Sequence, residues 1–190
     1  MTVTIDFEQP EDAPAIEALL DQAFGPDRQL KQSYRYRADV VPIAELCLVA
    51  RDRGRIVGSV RFWPIVVVGE PGIKPALLLG PIGVVADRRS EGVGEMLMQA
   101  SLHRAEELRF GIVLLVGDLS YYGRFGFHAA APYGIRMPGE RPERLQVLEL
   151  EAGALANVSG DLWPAQRRPL ARKRKPRAPV ATSKTQRYGT

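Results

Sequence analysis

The chain has 190 residues, 45% hydrophobic and 25% charged, enough for one domain with a sizeable core. It has no run of about 18 apolar residues to span a bilayer, and its opening MTVTIDFEQPEDAP has neither the basic flank nor the apolar core of a secretion signal, so a cytoplasmic protein without membrane partners is expected. The net charge of +4 is uneven: Ala165 to Thr190 holds nine Lys and Arg and no acid, leaving 17 basic against 22 acidic residues in the first 164.

Thr2 to Glu8 alternates and places Val3, Ile5 and Phe7 on one side of a first strand. Pro10 or Asp12 then opens a helix with an apolar face of Ala13, Ile16, Leu19, Leu20 and Ala23, stopped by Phe24-Gly25-Pro26. Asp27 to Val40 is a second, more polar helix or loop. Glu45 to Asp52 and Arg55 to Val68 are β-rich and joined by Arg53-Gly54, a hairpin turn. The single cysteine, Cys47, lies in an apolar run and reads as core. With His103 and His128 it forms no spaced ligand set, so no metal is expected.

After the turn Gly69-Glu70-Pro71-Gly72 comes the stretch that organises the chain, Leu77 to Arg109. Leu77, Leu78, Leu79, Ile82, Val84 and Val85 show no polar alternation, as expected of a strand covered on both faces. Pro81 cannot donate to a ladder, so a bulge or splay is expected there. Arg89-Ser90-Glu91-Gly92-Val93-Gly94 then opens a helix with Val93, Met96, Leu97, Ala100, Ala105 and Leu108 on its apolar face and Glu95, Gln99, His103 and Glu106 opposite. Two glycines at a helix start leave backbone N–H groups and the positive dipole end open to an anion such as phosphate. The same pattern also suits nothing more than a tight connection.

Phe110-Gly111 caps this helix, and Ile112 to Val116 is a fifth, wholly apolar strand. Asp118 or Ser120 can cap a short helix that leads through Tyr121-Tyr122-Gly123-Arg124-Phe125-Gly126-Phe127 into a short strand. Pro138 to Pro142 is a loop, and Leu145 to Leu150 reads as the last strand.

Arg89-x-x-Gly92-x-Gly94 after a buried strand resembles the Q/R-x-x-G-x-G/A signature of the GNAT superfamily of N-acetyltransferases, and Tyr121 to Phe127 resembles its second element, an aromatic-Tyr-x-x-x-Gly-Phe. Leu150 to Leu155 with Val158-Ser159-Gly160 resembles a bacterial branch of predicted N-acetyltransferases, so that the likeness spans residues 1 to 164. A dinucleotide fold is the rival, but its first glycine and repeated strand-helix units are missing. The resemblance implies an α/β (α+β) fold: a mixed, mostly antiparallel central sheet flanked by helices, with a splayed central strand. It also implies acetyl-coenzyme A as co-substrate, held by Ile82, Gly83, Val84, Arg89, Ser90, Glu91, Gly92, Val93, Gly94 and Glu95, with Tyr122 protonating the departing thiolate.

An amine, on a small molecule or a protein, would attack the thioester directly, and residues 24 to 40 and 131 to 145 would build its pocket. Residues 27 to 40 suit a solvated helix equally well. Two positions depart from the family pattern: Ala86 replaces a frequent proline, and Ser90-Glu91 a glycine and a basic residue. Glu91 would be unfavourable near a pyrophosphate unless Arg88 and Arg89 offset it. Glu45, Asp118 and His128 are candidate bases, and none is singled out by spacing. A coenzyme A-binding sensor without turnover and a nucleic-acid protein using the tail are the alternatives, and a homodimer is left open.

From Ala165 on, like charges and prolines cannot bury enough surface to offset chain entropy, so a disordered or loosely docked tail is expected. It lacks the interleaved aromatics of a nucleic-acid stacking surface. Deleting Arg167 to Thr190 should therefore leave the melting temperature unchanged; a fall of more than about 5 °C in a thermal scan would show that the segment is docked.

Overall fold

The computed structural model describes residues 3–70 and 72–167. In chain order its main elements are β1 (Val3–Phe7), α1 (Ala13–Phe24), α2 (Gln32–Arg35), β2 (Leu48–Asp52), β3 (Arg55–Gly69), β4 (Gly72–Val84), α3 (Val93–Glu107), β5 (Ile112–Val116), α4 (Leu119–Tyr122), β6 (His128–Ala129), β7 (Ile135–Arg136), β8 (Leu145–Glu149) and β9 (Gly160–Pro164). The basic extension lies, beyond Arg167, outside the described residues.

β3 is the axis of the sheet. Its 15 residues include Val57, Val60, Phe62, Trp63, Ile65, Val66 and Val67, all buried, so both of its edges need partners along their length. β4 takes one edge, from Gly69↔Gly72 to Gly58↔Val84. The other is divided between β2, which reaches Val60, and β9, which pairs with Ile65 to Val68. Arg53 and Gly54 join β2 to β3 with φ of 51° and 82°, the two-residue turn that matches strand twist. The sheet runs β1-β2-β3-β4-β5-β8-β6, with β7 added to β9. Every pairing is antiparallel except β4–β5 and β7–β9. This is the mixed, mostly antiparallel sheet that the resemblance implies.

Strand alternation sends Leu77, Leu79, Val113 and Leu115 into one core and Ala76, Leu78, Ile112 and Leu114 into another. Helices α1 and α3 cover the first core. Alone, a 12-residue helix is marginal in water, so α1 depends on burying Ile16, Leu19 and Leu20, at about 1.5–3 kcal/mol each. Tyr36, Val40 and the segment from Ala130 to Leu162 close the second. Among the described residues no helix is long and apolar enough to cross a membrane.

Four expectations need correction. Met96 is 38% exposed, and α3 instead buries Met98 and Ser101 with Val93, Leu97 and Ala105. The true face is centred near Ser101, whose hydroxyl donates to the Met98 carbonyl at 3.1 Å, so a polar letter hid the middle of the stripe. The turn after α3 is made by Arg109 at φ 63°, whereas Gly111 is required because a Cβ there would lie 2.9 Å from Ala154. Asp118 precedes α4 without a side-chain cap, since its carboxylate accepts from Arg144 at 3.0 Å. Finally, β8 is not the last strand. β9 follows it, bounded by a glycine and a proline and with no alternation legible in its letters, and it exists because Gly69 and Gly160 let two backbones touch: a Cβ on Gly69 would lie 2.0 Å from the Ser159 carbonyl oxygen.

The 3-10 turn Pro26–Leu30 is tied back to α1 by Arg28, which is 3% exposed and pairs with Glu17, with Asp21 at 2.7 Å and with the Tyr34 hydroxyl at 2.9 Å. Glu17 also accepts from Arg61 at 3.0 Å. Burial raises the Glu17 pKa, but hydrogen bonds from Arg28 and Arg61 outweigh it and hold the carboxyl below its ordinary 4.5. A depressed folded-state value stabilises the fold above the unfolded pKa, and that stability is lost as pH falls through the folded one. Glu17→Gln should lower the unfolding free energy by about 1 kcal/mol at pH 7, a modest figure because the carboxylate is 45% exposed. The gap to wild type should narrow as pH drops below 4.5. Urea denaturation at about pH 7 and pH 3.5 measures both, and a gap independent of pH would exclude the ion pair as its source.

Candidate active site

β4 and β5 pair only at Leu77↔Val113 and Leu78↔Leu114. Gly80, at φ 114°, and Pro81 follow, and β3 shifts register opposite them between Val60 and Phe62. The expected splay is therefore present, and it forms because β5 runs on to Val116 paired with β8 while β4 stays with β3. Phe24, Ile82, Val84, Val116, Gly117, Tyr121 and Tyr122 line the opening.

On one side of the opening is a cleft of about 510 Å³ lined by Ile82, Gly83, Val84, Arg89, Ser90, Gly92, Gly94, Glu95, Tyr121 and Arg124, with Ala23 and Phe24 from α1. On the other is a cavity of the same size, walled by Phe24, residues 31–34, Arg37, Leu79 to Ile82, Tyr122 and, from the late loop, Glu140, Arg141 and Arg144. Phe24 and Ile82 belong to both, so the two spaces meet at the splay.

Backbone polarity in this region follows from the β3–β4 ladder. Val85 donates to the Val57 carbonyl at 3.0 Å, so the next hydrogen-bonded pair is Ser59–Gly83, and Ile82 and Val84 turn their N–H groups to the opposite edge, toward the splay. Gly83 is a glycine for α1: a Cβ there would lie 2.7 Å from Leu19 and 2.9 Å from Leu20.

At the glycine turn, a 3-10 segment, Ala86–Glu91, passes through Gly92 at φ 77° into α3. Gly94 sits in the first turn, its missing Cβ 3.4 Å from the Tyr121 hydroxyl. First-turn N–H groups have no partner inside a helix, so this rim presents donors and a positive dipole end. Arg89, whose Nε donates to the Val84 carbonyl at 3.4 Å, and Arg124, stacked on Tyr121 at 4.1 Å, have no carboxylate partner among the described residues. Glu91 does not line the cleft; its carboxylate accepts from Arg88 at 2.8 Å, and Arg88 also reaches Asp52 at 2.6 Å. Val93 is buried in the core, so only its backbone faces the rim.

Tyr122 lies on the wall common to the opening and the cavity that also holds Arg37. Its ring meets Tyr121 edge-on at 4.9 Å and Phe127 at 6.1 Å. Burial, with the nearby Tyr121 and Asp118, pushes its phenol up to about 12 against the opposing pull of Arg144. A Cβ on Gly117 would fall 2.2 Å from its ring, so that glycine gives the ring its place.

Of the candidate bases, Glu45 and His128 are exposed and line neither space, whereas Asp118 borders the opening. Sequence reasoning does not single out Arg37, Arg124 or Glu140, because nothing in their spacing marks them and only the tertiary fold brings each to a wall. Cys47 is core, its thiol donating to the Ile43 carbonyl at 3.2 Å and pushed up to about 11 by burial. Among the described residues no cluster of three or more His, Cys, Asp or Glu is placed to hold a metal.

Residues 4–130 match the family described as acetyltransferase (GNAT) domain. The chain is 35% identical over 159 residues to the uncharacterized N-acetyltransferase YhbS of Escherichia coli K12, covering 82% of its own length and 92% of the relative's. With YjhQ of the same strain, also described as an uncharacterized N-acetyltransferase, it shares 26% over 128 residues, 67% of this chain and 71% of the other. The fold is similar to the crystal structure of Escherichia coli YhbS in complex with CoA, with a TM-score of 0.74 at 31% identity over 86% of this chain and 90% of that one. A GNAT family acetyltransferase from Brucella melitensis in complex with acetyl-CoA gives 0.65 at 26% identity, over 85% and 95%. On a family match across most of its length and a relative above 30% identity, the chain belongs to the GNAT family of N-acetyltransferases.

Proposed function

We propose that this protein binds acetyl-coenzyme A in the cleft at the glycine turn and transfers its acetyl group to an amine that enters from the cavity on the other side of the splay. The observation that carries the reading is the meeting of the two spaces at Ile82, beside Tyr122. Two solved relatives of the same fold are complexes with CoA and acetyl-CoA.

The residues present fit the co-substrate. A pyrophosphate needs backbone donors and cations without counter-ions, and the rim offers Ser90, Gly92, Val93, Gly94 and Glu95 backbone with Arg89 and Arg124. Glu91, the unfavourable residue, is neutralised by Arg88. In the splay, the N–H groups of Ile82 and Val84 are the donors left to polarise a thioester carbonyl, since that of Gly83 is used by β3.

The acyl group is supplied as a thioester, and a neutral amine attacks its carbonyl carbon. The C–N bond forms, the C–S bond breaks, and the amine's extra proton leaves to water. A base is desirable because a free alkylamine with pKa near 10.4 is mostly protonated at pH 7. Tyr122 protonates the departing sulfur. At about 12 its phenol is fully protonated at neutral pH, so the donor is always present. A free thiol near 8.5 is the stronger acid, but desolvation raises thiols too, as burial does for Cys47, and this narrows the difference.

Two substitutions test the two halves of the proposal. Gly94→Asp places bulk and negative charge at the rim and should weaken coenzyme A binding at least tenfold, about 1.4 kcal/mol; equal affinity by calorimetric titration would remove the phosphate-turn reading. Tyr122→Phe keeps the ring and deletes one hydroxyl. It should lower kcat by roughly 10² to 10⁴ with acetyl-coenzyme A affinity unchanged, under conditions where chemistry limits the rate. Turnover within about twofold of wild type would reduce Tyr122 to a packing residue.

A further inference from the structure

We infer that the acceptor is an amine that also carries a carboxylate, an amino acid in the chemical sense, and that Arg37 receives that carboxylate in the cavity beside Tyr122. The inference rests on the acetyl-transfer reading above and adds the class of acceptor.

Arg37 differs from every other deeply placed arginine. Arg28 pairs with Glu17 and Asp21, Arg61 with Glu8 and Glu17, Arg51 with Asp6 and Asp12, and Arg88 with Asp52 and Glu91. Arg37 has no carboxylate partner among the described residues. Its Nε and Nη1 are shut off from solvent without a hydrogen-bond acceptor. Instead the guanidinium stacks on Tyr34 at 4.6 Å and on Trp63 at 5.0 Å, and Trp63 is itself fixed by donating to the Val40 carbonyl at 3.1 Å. Nη2 points to the splay, 3.3 Å from where a Cβ on Gly80 would be. Burial pulls the group down to about 10, opposed by the Tyr34 hydroxyl, so it remains a cation at neutral pH.

A buried cation without a counter-ion is unfavourable, and the stacked rings offset that only in part. The missing charge has one place to come from, because Arg37 lines the acceptor cavity with Gly80, Pro81, Ile82 and Tyr122. There Lys31, Arg37, Arg141 and Arg144 stand against the single acid Glu140 among the described residues. Arg141 and Arg144 have acids of their own, Glu143 at 3.7 Å and Asp118 at 3.0 Å. A purely cationic acceptor, such as a polyamine, would meet an excess of like charge. A zwitterion matches both signs. One carboxylate balances one guanidinium, and Nη2, the nitrogen turned to the splay, is the donor placed to meet it. From Gly80 to Ile82 is two residues of strand, roughly 7 Å at about 3.3 Å per residue, so the carboxylate sits a few bonds from the reacting nitrogen.

The experiment is an acetyl-transfer assay on the full chain with acetyl-coenzyme A and four sets of acceptors: the protein amino acids, their C-terminal carboxamides, the corresponding decarboxylated amines, and O-phosphoethanolamine. The best amino acid should exceed its carboxamide by at least about 100-fold in kcat/KM, mostly through KM. In Arg37→Met that ratio should collapse toward one, and Arg37→Lys should restore part of it. A carboxamide used as well as its acid, O-phosphoethanolamine outranking every amino acid, or Arg37→Met depressing acid and amide alike would each overturn the inference. If Arg37→Met does not fold, competition on the wild type decides: the N-acetylated amino acid should inhibit and its carboxamide should not, and equal inhibition counts against the inference. Wild-type protein that fails to bind acetyl-coenzyme A in calorimetry would strike the transfer reading beneath. Binding with turnover indifferent to the carboxylate strikes this inference alone.

Discussion

The parallel ladder between β4 and β5 ends after Leu78, and what the site can do follows from why it ends there. Pro81 has no N–H to give to β5, and Gly80 takes a φ of 114° that a side chain would resist. On the other edge the register shift in β3 absorbs the irregularity, so β4 keeps its partner there through Val84. One edge of a buried strand thus opens while the other stays closed. An opening of this kind leaves backbone donors facing a cavity and not another strand, which is costly in an empty core and useful where a carbonyl is to be polarised.

Charge is distributed to match. Arginines bound to carboxylates form the shell around the site: Arg28 holds the covering turn to α1, Arg61 joins β3 to Glu8 and α1, and Arg88 ties the glycine turn to β2. Three arginines without a carboxylate partner among the described residues, Arg89, Arg124 and Arg37, stand on the walls of the two spaces. Neutralised cations in a folded protein report architecture. Those left unneutralised report where an anion is expected, Arg37 most of all, because its burial removes the solvent screening that the exposed Arg89 and Arg124 keep.

Much of this was legible in the sequence, for identifiable reasons. The Arg53-Gly54 hairpin, the apolar β5 and the splay at Pro81 each follow from a local rule, turn chemistry, lack of alternation and a missing donor, which tertiary contacts do not override. The glycine turn was legible as a pattern, and the structure adds that Glu91 and Val93 turn away from the cleft while Arg124 turns in. What escaped depends on contacts between distant segments. β9 alternates in burial but not in its letters, where Trp163 faces outward, and it is held by Gly69 and Gly160 touching across the sheet. Ser101 reads as a surface residue until its hydroxyl is seen to be satisfied within its own helix. Arg37 is one of several arginines in a polar stretch, and nothing in its spacing says that Trp63, on β3, will stack against it.

Glycine shows how one letter carries different physics. Gly92 is a matter of φ, at 77° on the approach to α3. Gly83 is a matter of packing, since α1 approaches so closely that a methyl group would meet Leu19 and Leu20. Gly117 is the most consequential for chemistry, because the Tyr122 ring occupies the space its side chain would need. The position of the phenol is then set by the end of β5 as much as by α4, which carries it. β5 in turn is anchored through its antiparallel pairing with β8, from Ile112↔Glu149 to Val116↔Leu145. The proposed acid is thus placed against the side of the splay whose ladder is unbroken, while the proposed carbonyl donors Ile82 and Val84 belong to the side where the register shifts. A thioester seated between them would have its oxygen addressed by one strand and its sulfur by the other, and the width of the splay would be the variable that brings the two into register.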